Sequence, residues 1–445
     1  MGGAVSRFVP CPGKRRPPDL TRRPSTETLR GLPRQLEETM SDATALPGGV
    51  PRLGDRSFFP TLQPRVYWNH ASISPASQPV IDHVLACVTD SARRGAGSFP
   101  TWLEHRRHLR GQIGQLLGVA PADLAFVQST TSGLVALAQS LPWQSGDRIV
   151  VFAGEFPGNV TPWQQAAARF GLGLVMLPVP SADISEAAFL QRLEDECKRG
   201  VRLIAVSAVQ FQTGLRMPVA AMAAIAHRLG AEICVDAVQA LGAVALYPLE
   251  LDIDYLACGS HKWLMGPEGS GFVYVSPKRI TALRTNMAGW LSHQEGIGFL
   301  SQGPGHLRYD RPIRHRADML EAGNLSSLSL AGLQASVHLI LTLGVPAIAA
   351  HIQRCLTALE DPLVERGFTS VRSRREEQRS GLLCVRPPQG VDVVALHAAL
   401  AAQGVSCSIP DGYLRFSPHW PSQVAQVDAI LDAIDTALHG LSRHA

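Results

Sequence analysis

The sequence predicts an α/β protein, a mostly parallel seven-stranded sheet covered by helices, with a smaller α+β domain following it. Two observations carry that prediction. From about residue 66, short and nearly unbroken apolar runs alternate with amphipathic stretches, the pattern of strands buried on both faces by helical crossovers. After residue 325 the pattern changes to long apolar helical stretches with few strand signals.

The strand candidates are LAFV (124–127), RIVVFA (148–153), LGLVML (172–177), RLIAVSAV (202–209), AEICVD (231–236), YLACG (255–259) and GFVYV (271–275). Their shortness and apolar continuity read as buried strands. Between them lie helical patterns such as SEAAFLQRLEDECKRG (185–200) and PVAAMAAIAHRLG (218–230). Farther on, helices are expected over 327–344, 346–366 and 422–441. The expected organisation is an unstructured extension over 1–55, an N-terminal segment plus large domain over 56–325, and a small domain over 326–445.

Composition narrows the function. The 445 residues are 45% apolar and 18% charged, as in a globular protein. The net charge of +4 is local: residues 1–39 hold eight basic and four acidic side chains, and the rest of the chain is balanced. That balance argues against nucleic acid as a partner. No run reaches 18 apolar residues, so no membrane span is expected. The eight cysteines are scattered without a CxxC pair, so neither a metal site nor a disulfide framework is indicated, and a reducing, cytoplasmic setting is expected. Residues 1–39 are rich in Pro and Arg and lack an apolar period. Met40 opens MSDATALPGG, an ordinary start, and the true start is expected there.

Three features fall at the carboxyl ends of strands, where open α/β sheets bind ligands. Asp236 ends an apolar strand, with Gln239 three residues on. A buried acid needs a cation or donor, although helix capping would also explain an Asp here. The run Ser129, Thr130, Thr131, Ser132, Gly133 opens a helix directly after a strand. Free N–H groups and hydroxyls there suit a phosphate, while capping alone needs one hydroxyl. The third feature is CGSHKWLMGPEGSG (258–271), in which Ser260, His261 and Lys262 follow a strand and the glycines lead into the next. The lysine precedes the glycines, so this is neither a P-loop nor a dinucleotide fingerprint. Taken together, a lysine, a strand-end acid and a phosphate cradle match the needs of pyridoxal 5'-phosphate (PLP). Asp236 would face the pyridine nitrogen, Gln239 the ring oxygen, and Thr130, Thr131 and His261 the phosphate.

These motifs closely resemble those of the class V aminotransferase family, which includes cysteine desulfurases, selenocysteine lyases, kynureninases and isopenicillin N epimerase-like enzymes. The landmarks run from about residue 66 to 440: YWNHASISP, STTSG, EFPGNVTPWQ, GSHKWLMGPEGSG, MLEAGNLSSLSLAGL and YLRFSPHWPSQVAQVDAIL. The resemblance implies PLP fold type I, a homodimer with sites at the subunit interface, and Lys262 as the Schiff-base lysine. It places Ser260 beside His261 on the phosphate side, and Arg415 on the substrate α-carboxylate. It puts Asn69 and His70 in a loop lining the substrate pocket, and Asn324 where relatives reach the neighbouring subunit's phosphate.

Two departures matter. Desulfurases place a histidine over the cofactor ring, where this chain has Phe156 followed by Pro157. The segment GVSCSIPDGYLRFS is too short for the desulfurase cysteine loop, and Cys407 reads as a packing residue. The expected activity is therefore a PLP-dependent lyase of the C–S, β-elimination type acting on a small amino acid through a Cα carbanion. An aminotransferase or epimerase on the same scaffold, and a catalytically silent partner protein, are the alternatives.

Overall fold

A computed structural model of the chain describes residues 49–181 and 184–442. The expectations for residues 1–39 and for a start at Met40 lie outside the described residues. The strands, in chain order, are β1 (Val66–Tyr67), β2 (Leu124–Val127), β3 (Arg148–Phe152), β4 (Gly173–Leu177), β5 (Val201–Ser207), β6 (Glu232–Asp236), β7 (Tyr255–Gly259), β8 (Gly271–Val275), β9 (Thr369–Ser370), β10 (Leu383–Arg386), β11 (Val405–Ser406) and β12 (Leu414–Phe416).

All seven strands expected between residues 124 and 275 form one sheet, in the order β2-β8-β7-β6-β5-β3-β4. The pairings β3–β4, β3–β5, β5–β6 and β6–β7 are parallel. Only β8 runs antiparallel to its neighbours β2 and β7. The local sequence explains this exception. A parallel return needs a crossover, whereas residues 260–270 form only a turn, so the chain comes back antiparallel. That turn carries Lys262. Strands β2, β6, β7 and β8 are buried throughout, as continuous apolar runs require.

The sheet gathers its chemistry at one edge. The helix Thr130–Ser140 starts three residues after β2, Phe156 follows β3, and Ser207 and Asp236 end β5 and β6 as register partners. Asp236 in turn pairs with Ala257 of β7.

Beyond residue 325 the helices fall at Ser327–Leu343, Val345–Glu365, Val393–Ala402 and Gln426–Ser442, around the antiparallel sheet β12-β10-β9. The N-terminal segment crosses to this part of the chain. Strand β1 pairs in parallel with β11, Val66 with Val405 and Tyr67 with Ser406, and Asn69 bridges Ser417. Phe58 and Phe59 pack on Trp420 at ring separations of 5.6 and 5.5 Å. Residues 69–74 are thereby laid over the Lys262 turn.

The turn itself is wedged by Trp263, a fully buried ring. Gly242 lies against its backbone at φ +104, and a Cβ there would collide with the Trp263 carbonyl oxygen. Both the space and the left-handed backbone require glycine. Gly242→Ala should therefore lower the unfolding free energy by about 3 kcal/mol. Denaturant titration measures this, and an unchanged midpoint would contradict the packing described.

Candidate active site

Lys262 sits in a half-buried pocket with Asp236 and Phe156. Its ammonium lies 5.4 Å from the centre of the Phe156 ring, an arrangement that suits a cation over a π face. Loss of hydration brings the amine down to about 8; Asp236 opposes that shift, and Arg415 adds to it. Asp236 is 4% exposed, and burial lifts its carboxyl to about 6 against the pull of the Val238 N–H and Lys262. Its Oδ1 accepts from the Val238 N–H at 2.9 Å. Oδ2 has no hydrogen-bond partner among the described residues and remains available for a donor. Phe156 is half exposed and makes a T-shaped contact with Phe211 at 5.4 Å.

Arg415 is 5% exposed, and all its partners are neutral. It donates from Nε to Ser408 Oγ at 3.0 Å, from Nη1 to the Phe211 carbonyl at 2.8 Å and from Nη2 to Ser72 Oγ at 3.0 Å. No carboxylate pairs with it among the described residues. A buried guanidinium without a counter-ion is costly unless a ligand supplies one. Asn69 acts one step away, its Oδ1 accepting from Ser72 Oγ at 2.8 Å.

On the phosphate side, Ser129 and Ser132 close a capping box at the start of the helix Thr130–Ser140. The N–H groups of Thr130 and Thr131 keep no partner among the described residues, as first-turn donors do. Thr130 Oγ1 accepts from the Gly259 N–H at 2.8 Å. Two glycines keep the cradle open. A Cβ on Gly158 would stand 2.9 Å from Thr131 Oγ1, and one on Gly259 3.0 Å from Thr130 Oγ1 and 3.4 Å from His261 Nδ1. His261 is half-buried, and burial keeps its ring below the usual histidine range. Ser260 departs from the expectation. Its fully buried hydroxyl donates to the Pro267 carbonyl and meets Ser270 Oγ at 2.9 Å, so it ties the turn together instead of facing the cradle.

Gln239 is held on both sides: Nε2 donates to the Ala71 carbonyl at 3.0 Å, and Oε1 accepts from Trp263 Nε1 at 2.8 Å. One amide N–H is left to donate to a ring oxygen. His70 also departs from its expected place in the pocket wall. It is 1% exposed and packs edge-on against Tyr67 and His419, both at 5.3 Å. Ser74 Oγ donates to the Lys262 carbonyl at 2.6 Å, so its contact with His70 Nδ1 at 2.8 Å is one in which the ring N–H donates. His419 accepts from the Trp420 N–H at Nδ1 (2.7 Å) and donates from Nε2 to the Trp263 carbonyl (2.8 Å). Two neutral histidines thus brace consecutive carbonyls, those of Lys262 and Trp263.

Asn324 is not brought to this pocket. It is exposed, in a surface hollow shared with Val88, Trp102, Arg106 and Leu328. Cys407 is 3% exposed with its thiol pushed up to about 12 by burial, as a packing residue would be. Sequence reasoning missed Ser72, Ser74, His419 and Glu155. Glu155 is 8% exposed and binds Ser207 and Gln210. It has the signal that singled out Asp236, an acid just beyond an apolar strand.

The residues fit PLP. Asp236 keeps a free carboxylate oxygen, the first helical turn keeps free N–H groups beside two obligatory glycines, and Arg415 lacks a counter-ion. Lys262, Asp236, Gln239, Phe156, Thr130, Thr131 and His261 would hold the cofactor, and Arg415 the carboxylate of a substrate.

The bracing histidines give the fold a pH signature. Burial holds His419 down to about 4 and His70 well below 6.5, while unfolded histidine titrates near 6.5. Their contribution is complete above about 6.5 and is lost as pH falls toward 4, because the unfolded chain then binds more protons. The buried acids shift stability the other way, so the test is a difference. The stability gap between wild type and His419→Gln should narrow as pH falls from about 6.5 to 4. Thermal melts across that range measure it; a gap that stays constant would contradict a neutral His419.

Comparison with known proteins agrees with this geometry. The family model for aminotransferase class-V matches residues 66–412. An uncharacterized aminotransferase, YcbU, of Bacillus subtilis is 24% identical over 379 residues, covering 85% of this chain and 96% of the relative. A cysteine desulfurase of Dickeya dadantii is 31% identical over 313 residues, 66% of this chain and 72% of the relative. Among solved structures, the cystine C–S lyase C-DES, in complex with its product cysteine persulfide, superposes with a TM-score of 0.76 at 20% identity, covering 84% of this chain and 98% of that one. With the matched model spanning most of the sequence, the chain belongs to the aminotransferase class-V family of PLP-dependent enzymes.

Proposed function

We propose that this enzyme is a PLP-dependent lyase that breaks the Cβ–S bond of a cysteine-like amino acid. The observation that carries this reading is the state of the sulfur chemistry around the pocket. All seven cysteines among the described residues are buried, and Cys258, four residues before Lys262, has its thiol raised well above the ordinary range by burial. Thiolates, not buried thiols, attack sulfur. With no such acceptor among the described residues, the sulfur leaves with the product. The likeness in fold to a C–S lyase supports the same reading.

Bound PLP supplies an electron sink for the pair left when the Cα proton is removed. The chain's residues do the rest. Arg415 grips the substrate carboxylate, held in place by Ser408, the Phe211 carbonyl and Ser72. Lys262, whose amine is brought down to about 8, can take the Cα proton near neutral pH. Asp236 holds the proton at the cofactor ring nitrogen through its free Oδ2. Phe156 offers a face but no proton, so proton movement at Cα falls to Lys262. The Cβ–S electron pair then leaves with sulfur, and one water hydrolyses the unsaturated three-carbon remainder to pyruvate and ammonia.

Transamination is the second reading, favoured by the coverage of nearly all of YcbU. The assembly we propose is a homodimer, because Asn324 is exposed in a surface hollow that its own Lys262 does not line. Protein loaded with PLP should show the visible absorption of a lysine-linked cofactor, and Lys262→Ala should abolish its borohydride-reducible link. Cystine or cysteine should give pyruvate and ammonia in step with released sulfur, without an added keto acid. Keto-acid-dependent amino transfer would instead establish the aminotransferase. Arg415→Lys should raise KM for the amino acid on the order of tenfold or more, with a smaller effect on kcat, because lysine cannot reproduce the fork.

A further inference from the structure

Glu155 is a buried acid that the chemistry above does not use. It lies just beyond β3, 8% exposed, and faces Asp236 across the end of β5. Its Oε1 accepts from the Ser207 N–H at 2.7 Å and from Gln210 Nε2 at 3.2 Å, and its Oε2 is in short contact with Ser207 Oγ. Ser207 is the register partner of Asp236, so one residue connects the two acids. From the turn after Phe156, Asn159 Nδ2 approaches Ser207 Oγ at 3.5 Å. Around Glu155 stand Ser207, Gln210 and Asn159, all neutral, and the Asp236 carboxylate raises its pKa further.

We propose that Glu155 is a positioning residue of the PLP site, a neutral carboxyl that clamps Ser207 and Gln210 and leaves Asp236 as the single charged acid facing the cofactor ring. The inference rests on the PLP reading and deepens it. Two ionised carboxylates at or beyond the ends of the strands that flank β5, in a dry pocket, repel, so one of them keeps its proton. Asp236 has a free oxygen turned to a cationic partner, whereas both Glu155 oxygens are committed to neutral groups. The proton therefore belongs on Glu155, where Oε2–H can donate to Ser207 Oγ while Oε1 accepts. Burial, with Asp236 adding to it, raises the Glu155 carboxyl to about 7, in keeping with this division.

The position also explains what Glu155 would hold in place. It immediately precedes Phe156, the ring beneath the Lys262 ammonium. By fastening the start of the 155–159 turn to β5, it fixes that ring relative to Asp236.

The test compares PLP-loaded wild type, Glu155→Gln and Glu155→Ala. Glutamine has the neutral shape, with an oxygen for Ser207 N–H and Gln210 and an NH2 for Ser207 Oγ. Glu155→Gln should keep PLP affinity within about threefold of wild type. Its visible spectrum should also change less between pH 6 and 8 than that of the wild type, because only the wild type has Glu155 ionising at about 7 beside Asp236 at about 6. Glu155→Ala should bind PLP on the order of tenfold more weakly, and circular dichroism should report an intact fold. If glutamine weakens PLP as much as alanine, or the wild-type neutral-range shift persists in full in Glu155→Gln, the neutral clamp is overturned. Equal PLP affinity in all three proteins overturns the positioning role while leaving the PLP reading intact. A wild type that takes up no PLP overturns both. If Glu155→Ala fails to fold, the glutamine variant's affinity and spectrum decide alone.

Discussion

A lysine taken out of water beside a buried aspartate is the constraint around which this fold is arranged. Neither side chain would be stable there alone, since each loses hydration that the interior does not replace. Together they moderate the cost, and the surrounding groups avoid adding to it. Phe156 offers an aromatic face, Gln239 offers an amide, and the paired histidines stay neutral. A further positive charge, on Arg415, is braced by neutral groups and pushes the lysine toward its uncharged form. A site that must strip a proton from carbon and accept an anionic substrate needs both properties.

Backbone support matters as much as side-chain chemistry. The carbonyl of Lys262 is bonded by Ser74 and that of Trp263 by His419, so the peptide between them is fastened from both ends of the chain. Trp263 then links the turn to Gln239 through its indole N–H. These bonds fix the origin from which the lysine side chain reaches, which matters where small displacements of a reacting group cost rate.

Much of this was legible in the sequence, and the reason is local encoding. Strands buried on both faces must be apolar throughout, so all seven of the main sheet could be read from composition alone. Asp236 and Lys262 stood out because charge at the end of such a strand has no local structural use beyond a cap. Arg415 and Phe156 came from motif likeness, not from pattern. Other parts were not encoded locally. Ser74 meets Lys262 across 188 residues and His419 meets Trp263 across 156, and no periodicity signals contacts of that span. Ser260 misled for the opposite reason: a hydroxyl two residues from the lysine is near it in sequence, yet the turn points it at Pro267. His70 misled likewise, since a polar residue in a loop can face either the ligand or the packing behind it.

The bracing of the Lys262–Trp263 peptide by a residue as late as His419 bears on how the site is laid out along the chain. The main sheet, with Asp236 and Lys262 at its edge, is complete by Val275. The bonds that hold the lysine backbone, and the guanidinium that completes the pocket, arrive only with residues 415–419 of a 445-residue chain. Along the chain, the two costly buried charges therefore precede part of their support by more than 150 residues. The groups that would hold the cofactor are thus encoded ahead of both the bonds that brace the Lys262–Trp263 backbone and the guanidinium that would hold a substrate.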